Sequence, residues 1–162
     1  MSFMEEGKIR IKTLLVDDNQ DMLEIAKKFF EKNRPEIDLD VSSSAKQALD
    51  LVEEKAYDAI VSDYQMPVMD GLEFLDEVRS RGIDVPFIFL TGQGEEDVAM
   101  EAVNLGADKY YKKGAGFSES FDELADSIVE EAKRAKSEEE LKTFQRWIKG
   151  SLESEEDEER LF

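Results

Sequence analysis

The sequence predicts an α/β domain, a five-stranded parallel sheet covered by helices on both faces. Three observations predict it. Short apolar runs recur along the chain, each the length of a strand bounded by turn signals. Stretches with the apolar spacing of an amphipathic helix lie between them. The two patterns alternate five times, and strand–helix alternation implies parallel strands joined by right-handed crossovers.

The strands fall over Lys12–Val16, Leu39–Ser42, Ala59–Ser62, Phe87–Leu90 and Lys109–Lys112. All but the last are rich in Val, Ile, Leu and Phe, as strands buried on both faces require. The first helix carries Met22, Ala26, Phe29 and Asn33 on one face and ends before Pro35. The second shows Ala45, Ala48, Leu49 and Val52 at i, i+3, i+4 and i+7. The third runs from Gly71 to Arg81 through Leu72, Leu75 and Val78, with Gly82 placed as a C-cap glycine. The fourth spans Glu95 to Leu105 and stops at Gly106. The last covers Phe117 to Ala135, with Phe121, Leu124, Ile128 and Ala132 facing inward.

Beyond Lys136 the apolar stripe changes sides. At about 100° per residue, Leu141, Phe144, Ile148 and Leu152 lie roughly opposite Ile128 and Ala132. Ser137-Glu138-Glu139-Glu140 reads as a capping box. A short separate helix is therefore expected from Ser137 to Lys149, stopped by Gly150. An acidic, disordered tail follows from Ser151. The Phe144, Trp147 and Ile148 group calls for a partner surface, with packing on its own chain favoured over a dimer or docking contact.

Composition limits the chemistry. The 162 residues carry a formal net charge of −19, with 41% hydrophobic and 38% charged residues. A core can form, but a polyanion is a poor partner, since nucleic-acid affinity rests on Lys and Arg at phosphates. With no cysteine and no histidine, thiolate catalysis, disulfides and the usual transition-metal ligands are excluded. A bound metal must be a hard cation held by oxygens. The start, Met1 to Glu6, lacks the pattern of a signal peptide, and no apolar stretch reaches spanning length. A soluble, cytoplasmic protein without membrane or nucleic-acid partners is expected.

In doubly wound sheets ligands bind outside the carboxyl ends of the strands, at the switch point. Those ends are informative. The first strand terminates in Asp17-Asp18, the third in Asp63, the fourth in Thr91-Gly92 and the fifth in Lys112-Lys113. With the first and third strands adjacent, three carboxylates converge. Each like-charged pair at ~4 Å costs on the order of 4 kcal/mol at an effective dielectric of about 20. A divalent cation offsets that repulsion, and carboxylate oxygens suit Mg²⁺. A hydroxyl and an ammonium nearby complete a set shaped for phosphoryl transfer.

Val16-Asp17-Asp18, Ser62-Asp63-Tyr64-Gln65-Met66-Pro67-Val68-Met69-Asp70-Gly71, Thr91-Gly92 and Gly106-Ala107-Asp108-Lys109-Tyr110-Tyr111-Lys112-Lys113 together resemble the response-regulator receiver family. The likeness covers Ile9 to Lys136. Its spacing holds throughout, with 45 residues from Asp18 to Asp63, 28 to Thr91 and 22 to Lys113. The acidic character and the wording around Asp63 and Lys113-Gly114 are also similar to archaeal members.

The resemblance implies a flavodoxin-like fold with strand order 2-1-3-4-5, here with a short C-terminal helical extension. It implies that Asp63 accepts the phosphoryl group and that Asp17, Asp18, Asp63 and the Gln65 carbonyl hold Mg²⁺. Thr91 then matches the switch hydroxyl, Lys113 the phosphate clamp and Tyr110 the aromatic switch, while Gln65 and Gln93 tune the phosphoryl lifetime. The implied phosphate donor is a phosphohistidine on a sensor histidine kinase or phosphotransfer protein, since this chain has no histidine. The output is contact with a downstream protein target, with a homodimer left open. The expected organisation is an extension over residues 1–8, a receiver domain over 9–136, an extra helix over 137–150 and a tail over 151–162.

One departure is Gly114, where the family places proline after a cis bond; a trans bond is expected here, because a non-proline cis bond costs roughly 2.5–4 kcal/mol. It leaves open whether Lys112 or Lys113 serves, with strand alternation and spacing favouring Lys113. Two rivals remain. A phosphatase of the aspartyl-phosphate type wants a second aspartate two residues past its nucleophile, but Asn19 and Gln65 stand there. A phosphate-independent interaction module would keep the fold and lose the chemistry. The chain is thus expected not to be an enzyme beyond its own phosphorylation and dephosphorylation.

Overall fold

The computed structural model describes residues 4–5, 8–92, 94–113 and 117–160. Gln93 and Gly114, named above for the phosphoryl lifetime and the bond after Lys113, lie outside the described residues. The chain divides into two compact units, Met1–Ala132 and Lys133–Phe162.

The first unit is the expected α/β layer structure. Strands β3 (Ile11–Val16), β4 (Ile37–Ser42), β5 (Ala59–Asp63), β6 (Phe87–Thr91) and β7 (Lys109–Lys112) form one parallel sheet in the order β4-β3-β5-β6-β7. This is the flavodoxin-like 2-1-3-4-5 arrangement. It is preceded by β1 (Met4–Glu5) and β2 (Lys8–Ile9), an antiparallel pair. That pair was not foreseen, because two residues per strand are too few to show an alternation.

Helices α1 (Gln20–Asn33), α2 (Ala45–Glu54), α3 (Gly71–Ser80) and α4 (Glu96–Asn104) connect the strands, and α5 begins at Phe117. Their starts are written in side chains. Asn19 accepts the Met22 N–H, Ser44 accepts the Gln47 N–H, and Asp70 with Glu73 forms a reciprocal capping box. Two helices stop on left-handed glycines, Gly82 at φ 76° and Gly106 at φ 108°. At the first, the Gly82 and Ile83 N–H groups return to the Arg79 and Val78 carbonyls. At the second, the Gly106 and Ala107 N–H groups return to Val103 and Ala102. Both are Schellman endings.

The sheet buries both faces. Ile11, Leu15, Val61, Ile88 and Leu90 meet α1 and α5 through Phe30, Phe121 and Ile128. Leu14, Val16, Ile60, Phe87 and Phe89 meet α2, α3 and α4 through Leu49, Phe74 and Ala102. Each fully buried Phe or Leu stabilises the fold by about 1.5–3 kcal/mol. One expectation is corrected here. The inward face of α1 is Met22, Leu23, Ala26 and Phe30, while Asn33 is exposed and its amide donates to the Phe29 carbonyl. Phe29 only flanks that core.

A second correction concerns the C-terminal segment. α5 is helical from Phe117 to Arg160, so neither the start at Ser137 nor the stop at Gly150 occurs, and helix replaces the expected unstructured tail through Arg160. The reason is local. The N–H groups a capping box would hold are already bonded within the helix, and Glu, Lys, Ala and Leu favour its continuation. One interior glycine costs only about 1 kcal/mol.

Candidate functional site

Strand register builds the site. Val16 pairs with Ser62, so the next residues, Asp17 and Asp63, leave adjacent strands side by side. On the other side Asp63 pairs with Leu90, and Thr91 with Lys112. The Lys113 N–H then donates to the Thr91 carbonyl at 2.9 Å. Four strand ends thus deliver the predicted residues to one edge of the sheet.

Asp17 is almost fully buried, with a side chain 1% exposed. Its Oδ1 accepts the Asn19 N–H at 2.9 Å, and its Oδ2 accepts from Lys113 Nζ at 3.0 Å. The same ammonium lies 3.1 Å from Asp63 Oδ1. Asp18 is exposed. Carboxylate oxygens of Asp17, Asp18 and Asp63 all lie within 4.8 Å of one another. They line a crevice of about 590 Å³ together with Asn19, Tyr64, Gln65, Met66, Pro67, Asp70 and Lys113.

The electrostatics follow from this crowding. Burial, and then the charge of Asp17, push the Asp63 carboxyl above the ordinary carboxylate range, and Lys113 offsets only part of the shift. Burial opposes the Lys113 ammonium, yet Asp63 and Asp17 outweigh it and hold its pKa above the usual lysine value. An oxygen-only cluster that penalises its own charge fits a hard divalent cation of the Mg²⁺ kind. The cation would neutralise the excess that one ammonium leaves.

Lys112 points elsewhere, with Nζ 3.7 Å from Glu96, so Lys113 is the lysine of the crevice. Thr91 ends β6 and is buried, but it is not among the residues lining the crevice. Tyr110 is 52% exposed on β7, opposite Phe89.

Three supporting residues escaped the sequence reading. Asn19 both holds Asp17 through its N–H and caps α1 through its side chain. Gly71 donates to the Tyr64 carbonyl at 2.8 Å, and a Cβ there would meet the Asp63 carbonyl oxygen at 2.1 Å. Val68 sits at φ 71° on the same loop, a left-handed conformation rare for a β-branched residue. Spacing alone signals none of these, although the Asp70-Gly71 pair marks the tight turn.

The fold is a doubly wound α/β domain with an acidic crevice at its strand ends, and comparison assigns it: the chain belongs to the response regulator receiver domain family, whose model matches residues 13–125. It is thereby a receiver domain of a two-component system. Response regulator SaeR of Staphylococcus aureus (strain USA300) is 35% identical over 100 residues, which is 62% of this chain and 42% of SaeR. The match thus spans less than half the length of that curated relative. The receiver domain of the Francisella response regulator 1452 superposes with a TM-score of 0.68 at 32% identity, covering 77% of this chain and 98% of that one. A response regulator receiver domain from Clostridium thermocellum gives 0.69 at 26% identity, covering 78% and 97%. Among the described residues, no helix is long and apolar enough to cross a membrane.

Proposed function

We propose that this chain is a phosphoryl-accepting switch with Asp63 as its nucleophile. The observation that carries the proposal is the convergence of three carboxylates within 4.8 Å beside an ammonium at 3.0 and 3.1 Å. An Asp63 oxygen attacks the phosphorus of a phosphohistidine in line. The new O–P bond forms as the P–N bond breaks, and the imidazole nitrogen of the donor keeps the electron pair. Mg²⁺, held by Asp17, Asp18, Asp63 and the Gln65 carbonyl, supplies Lewis-acid neutralisation of the phosphoryl oxygens when bound. Lys113 balances charge on the other side of the group and stays protonated throughout.

The acyl phosphate carries new charge into a buried corner. Thr91, one residue along from the phosphoacceptor's cross-strand partner, turns its hydroxyl toward that charge, and Tyr110 moves from its exposed position into the space released. The state with Tyr110 buried presents a different face to partners, and phosphorylation shifts the balance between the two states. The donor is a sensor histidine kinase or a phosphotransfer protein, and the receiver of the signal is a protein. The net charge of −19 argues against direct binding to nucleic acid or to an anionic membrane. A cytoplasmic location, where such kinases present their phosphohistidine, goes with this reading. The receiver portion is residues 9–136, with 137–162 as an appendage.

The test is exposure to acetyl phosphate with and without Mg²⁺, followed by intact-mass analysis. One phosphoryl adduct that requires Mg²⁺ and vanishes in Asp63→Asn is expected. An adduct that persists in Asp63→Asn refutes the assignment, and no adduct in the wild type leaves a phosphate-independent module.

A further inference from the structure

We infer that residues 133–152 form a parallel two-stranded coiled coil with a second copy of this chain. This second unit carries five large exposed apolar side chains within 12 residues. Leu141, Phe144 and Leu152 are each 56% exposed, Trp147 67% and Ile148 38%. Phe144 and Trp147 stack on each other with ring centroids 6.1 Å apart, which presents a shaped apolar ridge to solvent.

The heptad phase selects the occupant. Leu141 and Ile148 fall seven apart at a, and Phe144 falls at d, so the three make the seam of a two-helix coil. In a parallel pair, each g position meets the e position five residues further along the partner. Trp147 at g then packs on Leu152 of the second copy, and Lys133 faces Glu138. Glu140 faces Gln145. No like-charged g and e residues oppose each other over this span, and the one like-charged seam pair, Arg134 at a with its own copy, lies at the outer end of the coil. An antiparallel pair instead sets Glu138 against Leu152, which leaves a carboxylate on an apolar side chain. All five apolar residues are used only in the parallel arrangement. The cations Lys142, Arg146 and Lys149 fall at b, f and b, where they stay in water.

The area is marginal. With large apolar side chains worth on the order of 200 Å² each, the exposed fractions leave roughly 550 Å² per copy. Complete burial of these side chains sets an upper bound of roughly 1,100 Å² for two copies, close to the ~1,000 Å² of a specific interface. Polar residues at the outer seam positions, Arg134, Ser137 and Ser151, limit the coil to its centre. Arg134 is tied to Glu138 of its own helix at 2.7 Å. The dimer is therefore reversible and concentration-dependent rather than obligate.

Sedimentation of the full chain over a wide concentration range tests this. Wild type is expected to pass from monomer to dimer. The double variant Leu141→Gln/Ile148→Gln should raise the dissociation constant at least about 30-fold, while Arg146→Gln on the outer face should change it less than about twofold. The chain has no native cysteine, so Ser151→Cys at d should link two copies by a disulfide on mild oxidation, and Arg146→Cys should not. A monomer at every concentration overturns the inference. It does so whether Trp147 fluorescence reports a shielded ring, meaning the ridge folds on its own chain, or an exposed one, meaning it serves another partner. A dimer unaffected by the double variant, or one in which Ser151→Cys fails to link, overturns it equally.

Discussion

A Cβ on Gly71 would stand 2.1 Å from the carbonyl oxygen of Asp63. The first residue of α3 therefore lies directly against the backbone of Asp63, the proposed phosphoacceptor. The Gly71 N–H also fastens to Tyr64, one residue further on. No rotamer change relieves an overlap with backbone, so the aspartate must move. Gly71→Ala is expected to cost about 2–3 kcal/mol of stability and to lower Mg²⁺ affinity and phosphoryl uptake together. Urea unfolding with Mg²⁺ titration by calorimetry checks it, with Gly150→Ala as the comparison: an added Cβ there meets nothing within 4 Å, so Mg²⁺ affinity should stay unchanged and the helix should gain about 1 kcal/mol.

The raised pKa of Asp63 makes the site a stability cost at neutral pH. The folded protein holds the Asp63 proton more tightly than the unfolded chain does. Its favourable contribution is full below the ordinary carboxylate pKa of about 3.9 and is lost as pH rises through the raised folded value. Asp63→Asn should therefore raise Tm at neutral pH in the presence of EDTA, and the gain should fade on acidification. Mg²⁺ should narrow the gap from the other side, stabilising wild type by about 2.7 kcal/mol at one hundred times its Kd. Thermal melts across pH, with and without metal, read both effects.

Lys113 and Lys112 are neighbours with separate tasks. The first bridges Asp17 and Asp63, while the second reaches Glu96 in solvent. Lys113→Ala leaves the buried Asp17 with its backbone partner alone. The expected loss is about 1–3 kcal/mol, less than a fully buried pair because the ammonium is 39% exposed. Its phosphorylation rate should fall at least tenfold, whereas Lys112→Ala should stay within about twofold of wild type. Rates of acyl phosphate formation from acetyl phosphate separate the two.

Arg79 organises the opposite end of the sheet. Its guanidinium donates to the carbonyls of Ile83, Val85 and Gly106 and to Asp108. Asp108 in turn accepts the Phe87 N–H at 2.8 Å. Arg79→Ala strands several of these acceptors and should destabilise the domain by about 2–4 kcal/mol. Mg²⁺ affinity should not change, because nothing in this network touches the crevice. Denaturant melts with metal titration distinguish this outcome from that of Gly71→Ala.

The central strands were legible because they are buried on both faces, so runs such as Phe87–Leu90 stand out without any alternation to interpret. The site was legible for a related reason. A parallel sheet collects its strand ends, and Asp17 directly follows an apolar run while Asp63 and Lys113 stand one polar residue beyond one. What was hidden depends on three-dimensional closeness. The close approach of Gly71 to Asp63 and the Arg79 network leave no periodic trace, while on α1 the row Met22, Ala26 and Phe30 fits helical spacing as well as the face drawn through Asn33. At Ser137 and Gly150 the local signals were present, but an established helix outweighed them.

In the proposed switch Asp63, and no neighbouring carboxylate, carries the phosphoryl group. Borohydride reduces an aspartyl phosphate to homoserine, which marks its position permanently. After treatment with acetyl phosphate and Mg²⁺, peptide mass mapping should find homoserine at position 63 alone and none when EDTA replaces the metal. Homoserine at position 17 or 18, or an unmodified Asp63 under saturating phosphodonor and Mg²⁺, would contradict the account.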